Sequence, residues 1–155
     1  MEPTVFTTRA AELAAVRARR AELRGSLDLL ERALAAPAAG RAVVWGEAAH
    51  AALRPVADDF GAHVEVTEGP AGLHEAILDG DLRLANAVDA LRLEHIEIAE
   101  LIADLVSDTE APVTPGDVET VRDRGTLLLS RLARHRQRGA DLIYEAYETD
   151  IGGGD

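Results

Sequence analysis

The chain has no cysteine. Disulfides, thiolate metal sites and cysteine nucleophiles are therefore excluded. Serine is nearly absent too, at Ser26, Ser107 and Ser130 only, and none has a histidine close by in sequence. There is no Walker loop, no GxGxxG, no GxSxG and no His-Glu-x-x-His, so hydrolytic nucleophile chemistry has no support. Aromatic residues make up only 3% against 47% hydrophobic residues overall. The apolar content is thus mostly Ala, Leu, Val and Ile, which suits closely packed helices. No apolar run approaches the ~20 residues of a membrane span, and Met1 to Ala15 lacks the basic-then-apolar order of a signal peptide. Positive charge is in deficit, 16 Lys and Arg against 28 Asp and Glu, for a net charge of −12. Nucleic acid and membrane are poor partners for such a chain, because both need clustered basic residues. A soluble cytoplasmic protein is expected.

What the chain does have is helical periodicity. Its 155 residues fit one domain, expected at 1–150, with a loose tail at 151–155 that contains Gly152, Gly153 and Gly154. Breaks rich in proline and glycine fall at Ala36–Gly40, at Gly69–Gly72 with its continuation to Asp81, and at Ser107–Gly116. They divide the chain into four long helices at about 8–36, 41–68, 82–107 and 115–148, with a short helical turn at Leu73–Leu78. Thr114-Pro115-Gly116-Asp117 is a start signal for the last helix: a Thr cap, then Pro, then an acid. No strand-like alternation persists.

Each long segment carries an apolar stripe with steps of three and four. Three stripes each hold one histidine: His63 on the second helix, His95 on the third and His135 on the fourth. One inward histidine from each of three facing helices is what a metal site inside a bundle requires. The equivalent position on the first helix is Arg20, between Val16 and Leu23. Arg20-x-x-Leu23 matches His95-x-x-Ile98, so the two halves look like a weak internal repeat.

Carboxylates near these histidines are further ligand candidates. Glu68, five residues after His63, is rotated by ~140° on a regular helix, and still turns inward if the helix unwinds before Gly69-Pro70. Asp59, four residues before His63, shares its face and is an equal candidate; Glu94, beside His95, lies at the edge of the stripe. Asp141 is poorly placed. His50 falls off its stripe and is expected at the surface, and His74, after Gly72, is expected in a solvent or capping role. Glu65, Glu97 and Glu100 belong to solvated faces. Tyr144 and Tyr147 are assigned to the core or a groove. Arg134, Arg136 and Arg138 are expected to pair with acids on neighbouring helices.

The segments Phe60–Glu68, Leu91–His95 and His135–Asp141, in this helix order, resemble the hemerythrin-like family, also called the HHE cation-binding domain. The resemblance implies an antiparallel up-down four-helix bundle holding non-heme iron. It also implies oxygen binding, sensing or an oxidase reaction, with O2 or a related small oxidant as partner. The chain departs from the family pattern at four positions. Arg20 stands where the first histidine belongs, Thr67 stands four residues after His63, Ala99 where some members place a second histidine, and Gly139 four residues after His135.

The leading expectation is thus a remodelled iron site of His63, His95 and His135 with one or more of Asp59, Glu68 and Glu94. One ion is favoured over two, because the Arg20 charge opposes a second. Arg20 is the expected holder of an anionic substrate group through a two-pronged hydrogen bond, and a carboxylate, Asp59 or Glu68, is its expected neighbour. The competing class is a non-catalytic helical-bundle interaction module with a decayed metal site and structural histidines. A structural metal without turnover is a third reading. A homodimer is the one macromolecular partnership left open.

Overall fold

A computed structural model describes residues 3–147, with side chains from residue 10 onward. Five helices follow in order: α1 (Pro3–Ala35), α2 (Ala42–Glu68), α3 (Leu73–Gly80), α4 (Ala85–Glu110) and α5 (Val118–Tyr147). A 3-10 turn at Leu82–Leu84 joins α3 to α4. No strand occurs among the described residues, and the chain is all-helical with four long helices, as the periodicity predicts. The tail expected at 151–155 lies outside the described residues.

The breaks act as expected, with small shifts. The first helix begins at Pro3 rather than near 8, and proline is tolerated in a first turn because its missing N–H has no intrahelical partner there. α4 runs on to Glu110, so that Thr109 joins the buried face. The Thr114–Asp117 motif forms a turn ahead of α5 instead of its first helical residues: Asp117 N–H donates to the Thr114 carbonyl, and Thr114 Oγ1 donates to Asp117 Oδ2 at 2.8 Å. Val113 anchors this loop. It is 3% exposed and packs so closely on α2 that a Cβ at Gly46 would collide with it.

The apolar stripes meet in two clusters. The larger one contains Leu23, Leu30 and Leu34 of α1, Trp45, Leu53 and Phe60 of α2, Ile98 and Leu105 of α4, and Leu128 and Leu132 of α5. The smaller one joins Val16 of α1 to Leu73 and Ile77 of α3, Val88 and Leu91 of α4, and Leu142 of α5. Each fully buried Leu or Val contributes about 1.5–3 kcal/mol by leaving water. α1 packs mainly on α2, α2 on α4, and α4 on α5, while α1 and α5 touch far less. Toward one end Gly125 of α5 lets Leu34 approach its backbone. Between the two helices lies a cavity of about 710 Å³, walled by Leu23, Leu27 and Leu34 on one side and Leu129, Leu132 and Leu142 on the other.

Candidate metal centre

Between the two apolar clusters, each long helix contributes one polar side chain. On α1, Arg20 lies between Val16 and Leu23; on α4, His95 lies between Leu91 and Ile98; on α5, His135 lies between Leu132 and Leu142. His63 follows Phe60 on α2 by one turn. The same periodicity that buries the leucines therefore carries these four residues inward to one layer.

The three histidines converge. They are 6%, 3% and 5% exposed for His63, His95 and His135, and one ring nitrogen from each lies within 4.8 Å of the others. The Nε2 atoms of His63 and His135 are 3.4 Å apart with the rings nearly perpendicular. Two imidazoles on one tetrahedral ion, with bonds of about 2.0–2.1 Å, place their nitrogens about 3.3–3.4 Å apart.

Two carboxylates stand behind the rings. His95 Nδ1 donates to Glu68 Oε2 at 2.7 Å, and His135 Nδ1 donates to Glu94 Oε2 at 3.1 Å. Glu94 is held in turn by Arg138 at 2.6 Å, and Arg92 stands 3.7 Å from Glu68. A proton fixed on Nδ1 leaves the lone pair on Nε2, which is how metal-binding histidines are oriented and made more basic. Glu68 and Glu94, candidate ligands from sequence, thus each engage the outer nitrogen of a histidine, and the group converging for an ion is the histidine trio. Asp59 is not brought into it. Its carboxylate accepts a hydrogen bond from Ser26 Oγ of α1.

Burial keeps the rings neutral. It pushes His63 down to about 3, helped by His95 and His135, and His95 down to about 3, helped by His135 and His74. His135 is lowered by burial too, partly opposed by its hydrogen bond to Glu94. Neutral imidazole is the form that binds metal. His63 Nδ1 is buried with no hydrogen-bond partner. The residues fit a metal ion: three neutral nitrogens on three helices, two of them oriented from behind. Such a donor set suits zinc, copper, iron or nickel.

The sequence reading misplaces several neighbours. His74 is only 2% exposed and stacks parallel on His95, ring centres 5.9 Å apart, with burial pushing it down to about 4. A solvent or capping role for it is thus corrected: α3 folds over the end of the layer and carries His74 in. His50 is half-buried, its Nδ1 3.0 Å from Thr109 Oγ1, because the extension of α4 brings Thr109 opposite it. Tyr144, assigned to core or groove, is 58% exposed. Of Arg134, Arg136 and Arg138, only Arg138 forms an ion pair among the described residues.

Arg20 faces the cavity beside the trio, close enough for its charge to oppose protonation of His63 and His135. The carboxylate expected beside it is absent, since Asp59 is engaged by Ser26 and Glu68 by His95. Its Nε is buried without a partner, and Nη2 occupies space above Gly139, where a Cβ would lie 2.7 Å away. Comparison of the chain with family models, with curated proteins and with solved structures found no match. No helix among the described residues is long and apolar enough to cross a membrane.

Proposed function

We propose that the chain is a hemerythrin-like, antiparallel up-down bundle. In this reading one non-heme iron is held by His63, His95 and His135, and the site binds or activates O2 or a related small oxidant, as an oxidase or sensor. The observation that carries the reading is the buried trio itself, with one ring nitrogen from each histidine within 4.8 Å of the others. The up-down arrangement is supported by the order of the layers. α1 and α4 run from the smaller apolar cluster to the larger, whereas α5 runs from the larger to the smaller, and α2 passes from Phe60 in the larger to Val66 at the smaller. Iron among the metals that suit imidazole rests on the resemblance of Phe60–Glu68, Leu91–His95 and His135–Asp141 to the hemerythrin-like pattern.

His63, His95 and His135 would hold the iron ion, which would supply redox chemistry toward a small oxidant. The chain's residues do the rest. Glu68 and Glu94 hold the Nδ1 protons and fix the rings. Phe60 packs against the His63 and His95 rings, and Leu91 and Leu142 line the cavity beside them. Arg20 fills the place a fourth helix would use for a ligand, and its charge disfavours a second ion there.

Metal analysis of protein purified without chelator, followed by anaerobic Fe(II) titration and exposure to O2, tests this. The expected result is one iron per chain and an oxidant-dependent change in its optical spectrum. Protein that is metal-free and takes up no Fe(II) overturns the reading in favour of an interaction module with structural histidines. Stoichiometric zinc, with no response to O2, overturns the redox part.

A further inference from the structure

All sixteen basic residues of the chain are arginine. Most are paired. Arg122 is the model of a committed one: it donates to the carbonyls of Leu34 at 3.0 Å and Ala36 at 2.8 Å, pairs with Glu119 and lies over the Trp45 ring. At the opposite end of the α1–α5 cavity the pattern inverts. Arg20 and Arg24 of α1 and Arg136 of α5 line this mouth, the same three line a second, smaller pocket together with Arg17, and none of the four has an ion pair among the described residues. Arg17, Arg20, Arg24 and Arg136 thus stand together around one small pocket. A half-buried guanidinium surrounded by other guanidinium groups, in a chain of net charge −12, is unfavourable without an anion to offset it.

The cavity running from this mouth has a different character. It passes along Leu23, Leu27 and Leu34 of α1 and Leu129 and Leu132 of α5. From Arg20 to Leu34 is fourteen residues of helix, or about 21 Å. The volume, about 710 Å³, lies within the range of small-molecule sites. Asp28 and Glu31 flank it toward the Leu34 end. Arg122 also lines that end but is engaged by Glu119 and by the Leu34 and Ala36 carbonyls, so the cavity has a direction: arginines without ion pairs at one end, apolar residues along its length, acids at the far rim.

We propose that this cavity is a binding site for an amphipathic organic anion, a long-chain carboxylate or similar oxyanion. Its head lies on Arg20 and Arg136 beside the histidine layer, and its tail lies between Leu23, Leu27, Leu129 and Leu132. Arg20 offers a planar fork matched to an oxyanion. The absence of a side chain at Gly139 gives that fork the room to reach the cavity. The tail leaves water on contact with the leucines, at about 0.8 kcal/mol per methylene group.

The test is calorimetric titration of metal-free protein with sub-micellar dodecanoate, dodecanol and acetate, so the outcome does not depend on the metal reading. The expected result is saturable binding of one dodecanoate per chain. Dodecanol and acetate should bind at least tenfold more weakly, because each lacks one half of the ligand. Arg20→Gln should weaken dodecanoate binding at least tenfold and leave dodecanol unchanged. Leu129→Glu should weaken both, and Arg131→Gln, on the other side of the bundle, should weaken neither. Circular dichroism checks that each variant is folded, and Arg20→Lys, which keeps the charge without the fork, should fall between wild type and Arg20→Gln. Equal affinity for dodecanoate and dodecanol, or no effect of Arg20→Gln, overturns the proposal. A dimer that no carboxylate dissociates, with these α1 and α5 residues buried in its interface, overturns it in favour of a second copy of the chain.

Discussion

Acid should destabilise the metal-free protein well above the range where carboxylates titrate. Folding holds His63 and His95 at about 3 and His74 at about 4, against 6.5 in the unfolded chain. The folded state thus keeps these rings neutral while the unfolded state takes up protons as pH falls below 6.5. Stability is fully present above about 6.5, and is lost progressively as pH falls toward the folded values. At pH 5 each ring is 1.5 units below its unfolded pKa, a cost of about 2 kcal/mol at 1.36 kcal/mol per unit. Three rings bring the loss between pH 7 and pH 5 to about 6 kcal/mol, comparable with the whole stability of a small domain. Guanidinium unfolding in EDTA, followed by helical circular dichroism at pH 7 and pH 5, measures it. His63→Leu should reduce the pH dependence by about 2 kcal/mol. A wild-type protein whose stability at pH 5 is within about 1 kcal/mol of that at pH 7 would refute the picture of a neutral, desolvated histidine layer.

Other perturbations separate the roles around the trio. Glu68→Ala and Glu94→Ala should each weaken metal binding by about 10- to 100-fold while keeping the stoichiometry, as expected of groups that orient a ligand rather than act as one; Glu97→Ala, on an exposed face, should leave competitive chelator titrations unchanged. On the proposed reading, His95→Ala removes one of three ring ligands and should abolish stoichiometric iron in elemental analysis, and a variant that retains the wild-type content would remove His95 from the site.

Much of this layer was legible in the sequence, because burial follows the helical repeat. Positions 16, 20 and 23, or 91, 95 and 98, share a face on any regular helix, so the inward histidines and Arg20 could be read before any packing was known. What could not be read depends on neighbours distant in sequence. Glu68 and Glu94 were recognisable as close to histidines, but only the packing of α2, α4 and α5 shows which ring nitrogen each engages. Ser26 claims Asp59 across 33 residues of chain, and nothing local announces it. His74 lies on an eight-residue helix too short to display a stripe, and its burial comes from α3 folding over the smaller apolar cluster. The helix α5 starts at Val118, not at the Thr-Pro signal, because Val113 pins the loop against Gly46.

On the proposed hemerythrin-like reading, the two departures at Arg20 and Gly139 are one feature. In the hemerythrin-like pattern, position 20 carries a histidine, and a carboxylate follows the last histidine on the fourth helix. Here α1 supplies a longer cation, and α5 supplies no side chain at the point the guanidinium occupies, since a Cβ at 139 would lie 2.7 Å from Arg20 Nη2. Each substitution alone should therefore do little to rebuild a second metal position. Arg20→His removes the opposing charge but leaves empty space over Gly139. Gly139→Glu places a carboxylate against Arg20, where the two pair with each other instead of with metal. The combination removes the cation and supplies an imidazole and a carboxylate in the same space, so its effect should exceed the sum of the two. Fe(II) titration of wild type, both single variants and the double variant reads this directly: about one ion in the first three, and a rise toward two in the last. A double variant that stays at one ion, or an Arg20→His variant that reaches two by itself, would show that Arg20 and Gly139 act independently.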